Sequence, residues 1–192
     1  SGRLADFSAH PDFRPDYIYC GCELPPAEYR EGDYIVDADA WTGEAGTYPA
    51  FPYNMLPFMS QCPAELKFLF LSYGALNEEV RACLKYHPEV VIIAQSSHQN
   101  RLGEHRALVH ELMREGLHNP VIIFQQYAHG QEEKEDFQLE SAADMSALLF
   151  DGLCDGLYLY NNGTLGHRDI DATAFAILQA ARLRTSKTEY IS

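Results

Sequence analysis

Val90-Val-Ile-Ile-Ala94 is an unbroken apolar run that empties into the polar stretch Gln95–Arg101. A run this short, apolar at every position and rich in β-branched residues, reads as a strand buried on both faces. That is the environment of a parallel sheet covered by helices. The same texture recurs on either side. Leu66-Lys-Phe-Leu-Phe-Leu71 precedes it, and Val121-Ile-Ile-Phe124 and Leu157-Tyr-Leu-Tyr160 follow.

A helical pattern follows each of these runs. Asn77 stands where an N-cap belongs, Glu78 and Glu79 suit a first turn, and Val80, Cys83 and Leu84 share a face before Pro88 closes the element. The spacing predicts a second helix from about Gly103 to Arg114, with Leu108, Val109, Leu112 and Met113 presented together and Gly116 as its stop. The acidic run Gln131–Asp136 reads as a solvated loop. A third helix is expected at Ser141, which with Asp144 resembles a capping box, and carries Met145, Leu148 and Leu149 inward. The last runs from about Asp171 to Arg184 and buries Ala174, Ile177, Leu178 and Ala181. Four strand–helix units predict an α/β fold with a mostly parallel sheet and right-handed crossovers. Four are too few for an eight-stranded barrel, even with one or two strands from the N-terminal third, so a partial barrel or a small open sheet is expected.

The N-terminal third looks different. Pro11, Pro15, Pro25, Pro26, Pro49, Pro52, Pro57 and Pro63 break it repeatedly, yet its aromatics are too many for a disordered segment. The expectation is an irregular arm over residues 1–63, with short strands at Tyr17–Tyr19 and Tyr34–Asp37, and with Trp41 and the Tyr48–Phe58 aromatics packed on the body. Residues 64–184 form the α/β domain, and residues 185–192 form a connector.

A composition of 46% hydrophobic and 22% charged residues suits a globular chain that encloses a core. The formal charge of −14 argues against a nucleic-acid backbone as partner. Arg182, Arg184 and Lys187 are a local basic exception that suits a helix C-terminus. No apolar run approaches a membrane span. Five scattered cysteines, Cys20, Cys22, Cys62, Cys83 and Cys154, make no disulfide framework and suit a reducing cytoplasm. Cys20-Gly-Cys22 has no second Cys/His pair at zinc-site spacing, so no metal is expected.

In parallel α/β sheets ligands bind beyond the carboxyl ends of the strands. The ionisable and amide groups expected there are His98, Arg101, His105, Gln125, Gln126, His129 and Asn161. Strand ends emerge into polar loops in any such fold, so these residues define a candidate surface and no more. There is no GxGxxG, P-loop or GxSxG run, and His105 and His110 are five apart, a poor match to one helix face. Asp37 and Asp39 have no sequence partner and read as solvated acids.

Asn119-Pro-Val-Ile-Ile123, Leu149-Phe-Asp-Gly-Leu-Cys-Asp-Gly156, Phe175-Ala-Ile-Leu-Gln-Ala180 and Arg184-Thr-Ser-Lys-Thr-Glu-Tyr-Ile-Ser192 follow one another in this order. Together they resemble the long-form 4-hydroxy-3-methylbut-2-enyl diphosphate synthases of plants and Bacteroidetes-like bacteria. The resemblance runs from about Asp16 and is strongest after Leu66. It implies the inserted middle domain, a partial or degenerate TIM-barrel-like copy, of an isoprenoid-pathway (MEP, terpenoid) oxidoreductase that also has a TIM barrel and an iron–sulfur domain, both expected as partners within one polypeptide. It further implies a [4Fe–4S] cluster and reductive ring opening of 2-C-methyl-D-erythritol 2,4-cyclodiphosphate in the whole enzyme. No catalytic residue, no cofactor ligand and no cluster glutamate at Glu189 is carried over to this chain. An interaction module docking those domains or an electron donor is a second reading. A small independent enzyme using His98, Arg101 and His129 is a third.

Overall fold

The computed structural model describes residues 15–30 and 32–181. Seven strands form one all-parallel sheet in strict chain order: β1 (Tyr17–Gly21), β2 (Asp33–Asp37), β3 (Thr47–Pro52), β4 (Lys67–Leu71), β5 (Val90–Ala94), β6 (Val121–Tyr127) and β7 (Gly156–Asn161). The helices are α1 (Leu56–Gln61), α2 (Glu78–Tyr86), α3 (Arg101–Arg114), α4 (Lys134–Phe150) and α5 (His167–Ala180). A sheet in which every strand lies beside its predecessor curls as it twists. Here it curls far enough for Tyr19 on β1 to meet Tyr158 on β7, ring centroids 6.1 Å apart. The result is a half-barrel with helices alternating along its outer side, the α/β class expected.

The residues expected to form an irregular arm supply three of the seven strands. The two short strands anticipated there coincide with β1 and β2, but β3 was not foreseen, because a proline cannot donate to a ladder. The register explains how it is tolerated. β3 faces β2 from Thr47 to Ala50, whereas its partnership with β4 begins only at Ala50. Pro49 therefore sits where β3 has a neighbour on one side, and Pro52 is its last residue. Among the described residues, no α-helix covers the β1–β2 and β2–β3 connections.

Two helix starts also differ. α4 begins at Lys134, so Ser141 is not a cap. It is buried in mid-helix, and its hydroxyl donates to the Phe137 carbonyl at 2.6 Å. The acidic run is instead a 3-10 turn leading into the first turn of α4, where carboxylates complement the helix dipole. α5 begins at His167 rather than Asp171, and its expected end at Arg184, like the connector at 185–192, lies outside the described residues. α2 is capped as anticipated, with the Val80 N–H donating to the Asn77 side chain at 2.9 Å.

Alternation along each strand divides the core into two layers. Leu69, Leu71, Ile92 and Ile123 point outward and pack under Val80, Leu84, Leu108, Phe137 and Leu148 of the helices. Ile35, Ala50, Phe68 and Ile93 point to the concave side, where Tyr19, Tyr48, Phe70, Phe124 and Tyr158 pack on them. Asn119, two residues before β6, is buried and fastens the β5 entry by donating to the carbonyls of His87 and Val90 at 2.9 and 3.0 Å.

Phe68 is fully buried on the concave side, whereas Phe58 on α1 is 66% exposed. Phe68→Ala is expected to cost about 3–5 kcal/mol by loss of transfer energy and creation of a cavity. Phe58→Ala is expected to leave stability within about 0.5 kcal/mol. Urea unfolding measures both as shifts in midpoint at unchanged slope.

Candidate functional site

The carboxyl ends of the seven strands open on one face. The polar residues expected there are present, but they separate into distinct groups. His105 leaves the surface altogether: it lies on the inner side of α3 and is 1% exposed. Beside it Gln125, on the helix side of β6, donates to Asp144 of α4 at 3.1 Å, and the Tyr127 hydroxyl donates to the same oxygen at 2.9 Å. The Gln125 side chain is outside hydrogen-bonding geometry to the imidazole, and both ring nitrogens of His105 are unpartnered. Burial, the largest influence, pushes the imidazole below its ordinary pKa. Gln125 and the carboxylates of Glu104 and Asp144 act in the opposite direction. Burial and then the Asp144 charge raise the Tyr127 phenol, so it remains a donor.

His129, Asn161, Gln126 and Arg101 form the second group. The Asn161 amide clamps the end of β6, accepting from the His129 N–H at 2.8 Å and donating to its carbonyl at 3.0 Å. The His129 ring lies 2.7 Å from Glu140. Arg101 donates to the Gln126 carbonyl at 3.1 Å and approaches Glu140 at 3.9 Å. The turn after β7 presses so close that a Cβ on Gly163 would lie 2.0 Å from the His129 carbonyl oxygen, which leaves room for glycine alone.

His98 stands apart, exposed in the β5–α3 loop. Its ring accepts from the Asn100 N–H at 3.1 Å, and Asn100 caps α3 by accepting from the Gly103 N–H at 2.9 Å. With Tyr73, Gly74 and Glu104 these residues line an open cavity of about 420 Å³. The structure thus joins Arg101, Gln126, His129 and Asn161 at one rim, places His105 and Gln125 behind it, and leaves His98 elsewhere. The members that connect them, Asp144 and Glu140, were missed. A carboxylate on the inner turn of a helix looks like a cap in sequence.

A further grouping lies at the ends of β1 and β2. Cys22, Asp37 and Asp39 place a thiol and two carboxylates within 4.8 Å of one another, the one such trio among the described residues. The Cys22 thiol donates to Asp37 at 3.3 Å, which together with the Asp37 charge raises its pKa, and the Tyr19 hydroxyl donates to the other Asp37 oxygen. No sequence spacing reveals this trio, because it depends on β1 and β2 being neighbours. The five cysteines are free. No helix among the described residues is long and apolar enough to cross a membrane.

Neither a family model nor a solved structure matches the chain. Curated proteins do. The 4-hydroxy-3-methylbut-2-en-1-yl diphosphate synthase (flavodoxin) of Bacteroides thetaiotaomicron is 63% identical over 95% of this chain. The chain belongs to this synthase family. The synthase of the same name from Phocaeicola vulgatus is 59% identical over 97% of the chain. A chloroplastic synthase (ferredoxin) from Oryza sativa subsp. japonica is 34% identical over 48%. The chain spans about 30% of the length of the Bacteroides and Phocaeicola synthases, and so matches a part of the long-form enzyme.

His105 gives a test of the buried network. Its folded pKa is depressed below the unfolded value of about 6.5. The stability linked to it is therefore fully present above that pH and is lost as pH falls through the lowered folded pKa. Asp171, which burial pushes up to about 6, titrates nearby with the opposite sign. A comparison with a variant cancels that term. His105→Leu is expected to raise stability at pH 7.5 by about 1 kcal/mol, because two unpartnered polar atoms leave the interior. Its loss of stability between pH 7.5 and 5.5 in urea titrations is expected to be smaller than that of the parent.

Proposed function

We propose that this chain is a positioning domain of a 4-hydroxy-3-methylbut-2-enyl diphosphate synthase. In this reading the complete enzyme carries out the reductive ring opening of 2-C-methyl-D-erythritol 2,4-cyclodiphosphate in the cytoplasm. Its TIM barrel and a [4Fe–4S] domain, carried elsewhere in the polypeptide, perform the chemistry. The half-barrel holds those parts at a fixed separation, because a reacting centre must meet its redox partner within bonding reach.

One observation carries the reading. The polar groups at the strand ends are spent on one another. Asp144 takes both Gln125 and Tyr127, Asn161 clamps His129, and Glu140 takes His129. Bonds of this kind tie α3 and α4 to β6 and β7 and stiffen the face, where a catalytic site would leave groups aimed at open space. The free thiols agree with a reducing compartment. The relatives' names carry flavodoxin and ferredoxin. With a formal charge of −14, this chain would repel an acidic electron donor, so we assign donor docking to the rest of the enzyme.

The test uses the complete synthase. This chain alone is expected to turn over no cyclodiphosphate. Excising the matching segment is expected to lower kcat by about 100-fold or more while the remainder still binds substrate. Turnover by the chain alone, or full activity after excision, would overturn the assignment.

A further inference from the structure

α4 is apolar on both sides, which is unusual for a helix on the outside of a sheet. Its inner face buries Phe137, Met145, Leu148 and Leu149. On the outer face Leu139 is 71% and Phe150 is 65% exposed. Eleven residues at 100° per residue return to within about 20° of the same direction, so the two lie on one line about 16 Å apart. Ala143, also exposed, and half-buried Ser146 lie between them on that line. The face is therefore a shallow saddle with a large apolar side chain at each end. Scattered exposed apolar residues are ordinary on a surface, whereas here two large ones share one helix face with an exposed alanine between them.

The charge beside the saddle indicates what covers it. Glu132, Glu135 and Asp136 are exposed at its amino-terminal end, and none makes a salt bridge among the described residues. A second copy would bring the same acids, and a formal charge of −14, against this one. The complement is an apolar surface with a lysine or arginine rim. Relatives of this chain are matched over about 30% of their length, so most of their polypeptide lies outside the matched part and is at hand to supply it.

We propose that the outer face of α4 is the surface on which the remainder of the synthase polypeptide docks, through an apolar patch rimmed by basic side chains. This rests on the reading of the chain as one domain of that enzyme, and it assigns the surface through which the domain is held. Leu139 and Phe150 fill pockets in the covering surface, and Ala143 lets its backbone approach. Glu135 and Asp136 steer the rim.

Hydroxyl-radical footprinting of the 192-residue chain and of the complete synthase carrying it tests the proposal, with Phe58 as internal reference. Leu139 and Phe150 are expected to label strongly in the chain alone and several-fold less in the complete enzyme, while Phe58 is unchanged. Leu139→Asp is expected to return Phe150 to the labelling of the free chain. Equal labelling in both proteins would overturn the proposal. So would protection that appears in the chain alone as its concentration rises, since that outcome assigns the face to a second copy. Turnover is not read, so a failed positioning role and a failed docking surface give different results.

Discussion

Tyr19 holds the curvature of this sheet. From β1 its ring reaches across the concave side to Phe70 on β4, centroids 5.7 Å apart, and to Tyr158 on β7, while its hydroxyl donates to Asp37 on β2. Edge-to-face contacts of this kind add to the burial of the rings themselves. Two residues earlier, on the same face of the strand, Tyr17 packs edge-on against Tyr48 and Phe68. Tyr17 thus anchors the first strand over β3 and β4, and Tyr19 brings it to the last strand, which does not pair with it among the described residues. An open parallel sheet of seven strands has two bare edges. Here the aromatic layer draws those edges toward each other and gives the domain one shape.

That shape fixes what the strand-end face does. In a βα half-barrel the carboxyl ends of the strands carry most of the chemistry a fold can host. In this chain the same positions are filled by groups that satisfy each other across element boundaries. The buried Gln125–Asp144–Tyr127 set joins sheet to helix, and the Asn161–His129 clamp joins two strand ends. His105, placed behind them with no partner, is a cost the face carries rather than a tool it uses. In the proposed positioning role, the side chains at the rim tie elements together where the same fold can host an active site.

Much of the fold was legible in the residues. β4 to β7 announce themselves through short apolar runs, of which β5 is the one apolar at every position. α2 announces itself because Asn77 is a true cap. β3 was hidden by Pro49 and Pro52, since the rule against prolines in sheets assumes two neighbours and Pro49 has one. α4 was read seven residues short, because Ser141 and Asp144 match a cap in sequence while their hydrogen bonds run to Phe137 and β6. The rim itself was legible only as a set of names. Which of those residues face the helix layer, and that Cys22 meets Asp37 and Asp39, depends on strand neighbours that local sequence does not encode.

The proposed role is mechanical, a rigid spacer within a longer enzyme. Spin labels placed on the exposed residue Met113 of α3 and in the remainder of the complete synthase report it through their distance distribution. A spacer predicts one narrow distribution, unchanged by substrate. A broad distribution, or several populations of similar weight, would mean a flexible tether and would contradict the account.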